Sequence, residues 1–104
     1  MIVEERIENN DLVSPFTKAV VDIERGILAV GCELHVDCAE ELAQSGSRGG
    51  GLWGFNIYPD GRLEFVSLIN IRPKAGNRSM EIQDAKLREQ ITEIVRRFLP
   101  QAHA

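Results

Sequence analysis

The chain has 104 residues, of which 43% are hydrophobic and 27% charged, with a formal net charge of −4. That length suits one domain spanning residues 1–104 with a single core, and the composition is globular rather than disordered or fibrous. An excess of acids, 16 Asp+Glu against 12 Lys+Arg, argues against non-specific nucleic-acid binding and against an anionic membrane surface, both of which need a basic field.

In chain order, Ile2 to Ile7 is a possible short N-terminal strand, and Glu8 to Ser14 is a polar turn ending at Pro15. Lys18 to Glu24 and Ile27 to Leu34 read as a hairpin closed at Arg25-Gly26, with Glu24 facing Ile27, Asp22 facing Ala29 and Lys18 facing Glu33. Asp37 predicts a helix N-cap for a helix from about Cys38 to Gln44, stopped at Gly46. Ser45 to Gly51 (SGSRGGG) is expected to be a flexible Gly/Ser loop. Leu52 to Tyr58 and Arg62 to Arg72 flank Pro59-Asp60-Gly61, a second hairpin. Period two places Trp53, Phe55, Ile57, Leu63, Phe65, Ile69 and Ile71 on a core face. Asp84 caps a last helix whose apolar face is Leu87, Ile91, Ile94, Val95 and Phe98. Pro100 ends it, leaving residues 100–104 as a loose tail. The expected fold is α+β: an antiparallel sheet of two β-hairpins plus a possible N-terminal strand, with two helices packed on one face.

Three constellations carry chemistry. Asn70, Arg72, Asn77, Arg78 and Ser79 gather amide, guanidinium and hydroxyl donors at the end of the long strand. They would suit a phosphate or carboxylate, because a guanidinium meets either group with two parallel donors. The same arginines could instead pair with Glu64 or Glu81. Glu33, His35 and Asp37 would point one way along an extended chain, which pairs a histidine base with an orienting Asp37. Capping by Asp37 and a backbone bond to His35 are the structural alternative. Cys32, His35, Asp37 and Cys38 fit no trusted four-ligand zinc spacing, so neither metal nor cofactor is expected. Two cysteines are too few for a secreted disulfide scaffold, which suggests reduced thiols and a cytoplasmic protein. The N-terminus MIVEERIENN does not read as a signal peptide, and no apolar run approaches the roughly 20 residues that span a bilayer.

The pattern ELHVD, LWGFNIYP and SLINIRPKAGNRS resembles a small prokaryotic family of single-domain proteins of unknown function. The resemblance runs from about Lys18 to Phe98, with its motif positions at His35, Asp37, Trp53, Asn56, Asn70, Arg72, Asn77, Arg78 and Ser79. It implies a small stand-alone protein and no substrate. Functional expectations are therefore of three kinds. One is a binding module for a small anionic ligand or acidic peptide at Asn70, Arg72, Asn77, Arg78 and Ser79. The second is a small hydrolase-like enzyme using His35 and Asp37 with Arg72 or Arg78. The third is a structural or partner-binding protein that self-associates, as a homodimer, through an open sheet edge or through its helices.

Overall fold

The computed structural model describes residues 1–104, position 9 by its backbone alone. Pro59-Asp60-Gly61 closes its hairpin as the sequence predicts. The Tyr58 N–H donates to the Arg62 carbonyl at 2.9 Å, the Arg62 N–H donates to Asp60 Oδ1 at 2.9 Å, and Gly61 takes φ 91°, a conformation that favours glycine. The strands it joins are β3 (Leu52–Ile57) and β4 (Leu63–Glu64). β4 is far shorter than the expected Arg62 to Arg72. Ser67 redirects the chain: its Oγ accepts the Ile69 N–H at 3.3 Å and opens a 3-10 turn over Leu68–Asn70. Ile71, expected in the core, is consequently 44% exposed.

The first hairpin joins β1 (Thr17–Asp22) and β2 (Ile27–Val30), but its register differs from expectation. Asp22, not Glu24, faces Ile27, and Val20 faces Ala29. Asp22 Oδ1 accepts the N–H groups of Glu24 and Arg25 at 2.8 and 3.1 Å, which stabilises a wider turn than Arg25-Gly26 alone. The Lys18 ammonium then donates to the Glu33 backbone carbonyl at 2.6 Å, and the Lys18–Glu33 side-chain ion pair does not form.

The four strands run in the order β2-β1-β3-β4, each pair antiparallel. Helix α1 covers His35–Gln44 and α2 covers Ala85–Arg96. The architecture is α+β, with an antiparallel sheet and two helices, as the sequence indicates. The helices nevertheless lie on opposite faces rather than sharing one. Ala19, Val21, Trp53, Phe55 and Ile57 join Ile91, Ile94 and Val95 of α2, while Val20, Ala29 and Leu52 join Cys38 and Leu42 of α1. The cause is visible in β1, where the run Ala19-Val20-Val21 is apolar at both parities and needs cover on both sides. Each large apolar side chain so buried contributes about 1.5–3 kcal/mol.

Both outer edges of the sheet are covered by the chain's own ends. The possible strand at Ile2 to Ile7 reduces to a bridge between Ile2 and Ala29, with the Val3 N–H donating to the Leu28 carbonyl at 2.8 Å. Residues 100–104 dock instead of hanging loose. The Leu63 N–H donates to the His103 carbonyl at 2.7 Å, the His103 N–H donates to the Gly61 carbonyl at 3.0 Å, and Ala102 is buried. The Ser45–Gly51 loop is also tied, through Arg25 Nη1 to the Ser45 and Ser47 hydroxyls and through an Arg48–Glu24 ion pair at 2.9 Å.

Cys32 and Cys38 form a disulfide across the β2–α1 turn, their Cα atoms 5.6 Å apart, which corrects the expectation of reduced thiols. The turn closes because α1 starts at His35, not at Cys38. Asp37 acts from inside the first turn, its Oδ2 accepting the Leu34 N–H at 3.2 Å.

Candidate functional site

Lys18 on β1 pairs with Asn56 on β3, and Asn56 pairs with Glu64 on β4. Directly opposed residues share a sheet face, so a cation, an amide and an acid stand in a row on the α1 side, about 5 Å apart from strand to strand. His35, the first residue of α1, sits over this row. Its Nε2 lies 3.0 Å from the Phe55 carbonyl and 2.9 Å from Asn56 Oδ1.

The protonation pattern follows from the acid at the end of the row. Glu64 Oε1 accepts from Asn56 Nδ2 at 3.0 Å, which turns Asn56 Oδ1 toward the imidazole. Both atoms facing His35 Nε2 are then acceptors, so Nε2 carries the proton and Nδ1 holds the lone pair. Burial is the largest influence on His35 and lowers its pKa from the usual 6.5; the bonds to Phe55 and Asn56 oppose this, and nearby Lys18 adds to it. The ring is held as a neutral acceptor.

Beside the row opens a groove of about 440 Å³, lined by Phe16, Leu34, Val36, Val66, Leu68, Ile69 and Met80 together with Lys18, His35, Asn56, Glu64 and Ser67. Its walls come from three places: the start of β1, the β2–α1 turn, and the segment after β4. Of these residues, His35 is the one site candidate legible in the sequence, and Asn56 is one of the motif positions. Lys18 and Glu64 become neighbours of Asn56 only through the β1–β3–β4 pairing, which no local pattern announces.

The other expected site residues are drawn together, but around the backbone. Asn70, fully buried, accepts the Gly54 N–H on Oδ1 at 2.8 Å and donates from Nδ2 to the Gly54 carbonyl at 2.9 Å and the Met80 carbonyl at 3.1 Å. Its amide thus takes the place of a β4 residue where β4 has already left the sheet. Two residues on, Arg72 continues the same edge. Its guanidinium donates to the carbonyls of Leu52, Gly50 and Ile69 and stacks over the Trp53 ring, 4.4 Å from its centroid. Desolvation by burial lowers its pKa. Asn77 Nδ2 faces the carbonyls of Asn70, Ser79 and Glu81, and its Oδ1 accepts the Gln83 N–H at 3.0 Å. Ser79 Oγ accepts the Glu81 N–H at 3.0 Å. Arg78 is exposed, with no ion pair among the described residues.

Asp37 lies two residues after His35 in α1, without a hydrogen bond between their side chains among the described residues; the ring is oriented by Phe55 and Asn56. No group of three or more His, Cys, Asp or Glu gathers as a metal site among the described residues. No helix of the described residues is long and apolar enough to cross a membrane.

Fold and site together define a small α+β domain with an amphipathic groove on one sheet face. The family model described as "Protein of unknown function (DUF5674)" matches residues 2–98, and the chain belongs to that family. No curated protein and no solved structure matches it.

Proposed function

We propose that the chain is a binding module that docks an uncharged, apolar segment of a partner polypeptide in the groove beside His35. One observation carries this reading: Leu34, Val36, Leu68 and Met80, exposed by 56%, 46%, 70% and 40%, all line that groove. Large apolar side chains gathered at one exposed place mark interaction surfaces. The polar row beneath them suits a peptide, since Lys18 offers a donor while His35 Nδ1 and Glu64 offer acceptors. A peptide backbone supplies partners for both kinds, and its side chains fill the apolar walls.

The alternatives find less support. An anion at Asn70, Arg72, Asn77, Arg78 and Ser79 would depend on Arg78 and the Ser79 hydroxyl, because the remaining donors face backbone carbonyls. A hydrolase-like role would draw on the His35 lone pair, but Asp37 is engaged at Leu34 and Arg72 at Leu52. The disulfide favours an oxidising compartment over the cytoplasm.

The test is a titration followed by heteronuclear NMR, with the capped dipeptide N-acetyl-leucyl-phenylalaninamide at millimolar concentration as probe. Saturable shifts at Lys18, His35, Val66 and Ile69 are expected, and they should weaken in Val36→Asp. That variant should fold, because Val36 is exposed and an acid in the first helical turn is favourable. Shifts that are absent, that map elsewhere, or that persist unchanged in Val36→Asp would refute the reading.

A further inference from the structure

The disulfide closes a ring of chain from Cys32 to Cys38, and that ring contains Leu34, His35 and Val36, three residues of the groove wall. We propose that this bond is a thiol-exchange site, opened by a dithiol reductant at Cys32, and that its state sets the shape of the groove. The inference rests on the groove being the binding site.

The two sulfurs are placed very differently. Cys38 is 1% exposed, on the sheet-facing side of α1, packed with Val20, Ala29, Leu42 and Leu52. Cys32 is partly exposed and lines a separate cavity of about 310 Å³, together with Phe16, Lys18 and Glu33. An incoming thiolate therefore reaches the sulfur of Cys32. Attack there forms a mixed disulfide on Cys32, and the Cys32–Cys38 bonding pair leaves with Cys38 as a thiolate, which takes up a proton. The second thiol of the reductant, deprotonated, then attacks its own sulfur in the mixed disulfide and releases Cys32 as a thiolate, which is protonated in turn. The protein disulfide gains two electrons and two protons, and the dithiol becomes a cyclic disulfide.

Opening the ring removes the covalent closure of the β2–α1 turn. What then holds the turn is the Asp37 bond to Leu34, the Lys18 bond to the Glu33 carbonyl and the His35 contacts with Phe55 and Asn56. Each of these ties lies at a groove residue or at the ring itself. The rest of the sheet has its own strand pairs and the α2-side core, so the loosening is local.

The experiment needs no groove ligand. Air-oxidised protein is pulsed with glutathione, quenched in acid and mapped by peptide mass spectrometry. Amide hydrogen exchange is then compared between oxidised protein, protein in dithiothreitol and the double variant Cys32→Ser/Cys38→Ser. Three results are expected: an intramolecular disulfide before the pulse, a glutathione adduct on Cys32 ahead of Cys38, and exchange at residues 33–38 faster by roughly tenfold in both the reduced protein and the variant, with β1 and β3 unchanged. Absence of the bond, an adduct first on Cys38, unchanged exchange at the turn, or acceleration across the whole sheet each overturns the proposal. The capped-dipeptide titration on oxidised protein separately decides whether the groove binds, so failure of the exchange site and failure of the groove are told apart.

Discussion

Replacing Asn70 with Ala should be among the most damaging single changes in this protein. The residue is 0% exposed, and its side chain bonds the Gly54 N–H, the Gly54 carbonyl and the Met80 carbonyl. Alanine leaves both Gly54 groups facing a methyl group in a site with little room for water. A buried polar group stripped of its partner costs about 1–3 kcal/mol, so losing partners for two backbone groups costs roughly 2–6 kcal/mol. Total stability for such domains is about 5–15 kcal/mol, and each kcal/mol shifts Tm by about 4–8 °C at this size. Urea unfolding followed by the fluorescence of Trp53, the sole tryptophan, measures the loss directly. Leu68→Ala is the control: at 70% exposure it should change stability by no more than about 0.5 kcal/mol. If Asn70→Ala costs less than about 1 kcal/mol, the amide is not completing the edge of β3 and the account of this loop is wrong.

Other substitutions separate scaffold from surface. Arg72→Ala should cost roughly 2 kcal/mol and change Trp53 emission, because the guanidinium bonds three carbonyls and covers the indole; Arg78→Ala, in exposed chain, should stay within about 0.5 kcal/mol in the same urea assay. Gly54→Ala should cost roughly 2 kcal/mol or more in thermal melts, since an added Cβ would lie 2.5 Å from the Ser67 Cβ. Burial holds the His35 pKa below 6.5, so the unfolded chain binds that proton more readily than the folded one. The stability this confers is complete above about pH 6.5 and is lost as pH falls from there through the folded value. Denaturation curves should therefore show wild type losing stability from pH 7 toward pH 5.5 relative to His35→Gln; parallel curves would contradict the assignment.

Local chemistry made several elements legible. Proline, aspartate and glycine in series specify the turn at residues 59–61, and Asp84 caps α2 through the N–H groups of Lys86 and Leu87. The buried Trp53, Phe55 and Ile57 follow from alternation alone. What stayed hidden depends on contacts between distant segments. Alternation continues in the sequence beyond Glu64, but Ser67 turns the chain, and the packing of that turn against side-chain-free Gly54 cannot be seen from either residue alone. That Asn70 and Arg72 gather donors at the end of the second hairpin is legible in the sequence; that they aim at the edge of β3 is not, because an unfinished strand edge is a property of the assembled sheet. The groove is hidden from the sequence for the same reason. Its lining comes from residues 16 and 18, 34–36, 56, 64, 66–69 and 80, and nothing in any one segment marks it as part of a surface.

The side-chain ladder along β3 makes Ile69–Arg72 a ruler. Gly54 and Leu52 present their outward groups two residues apart, and Asn70 and Arg72 meet them at the same interval. One residue inserted between the two motif positions would displace the second by about 3.4 Å and leave a rung empty. The most distinctive stretch of the sequence thus encodes a dimension of the scaffold, and its spacing should resist change even where the identity of a bound partner does not.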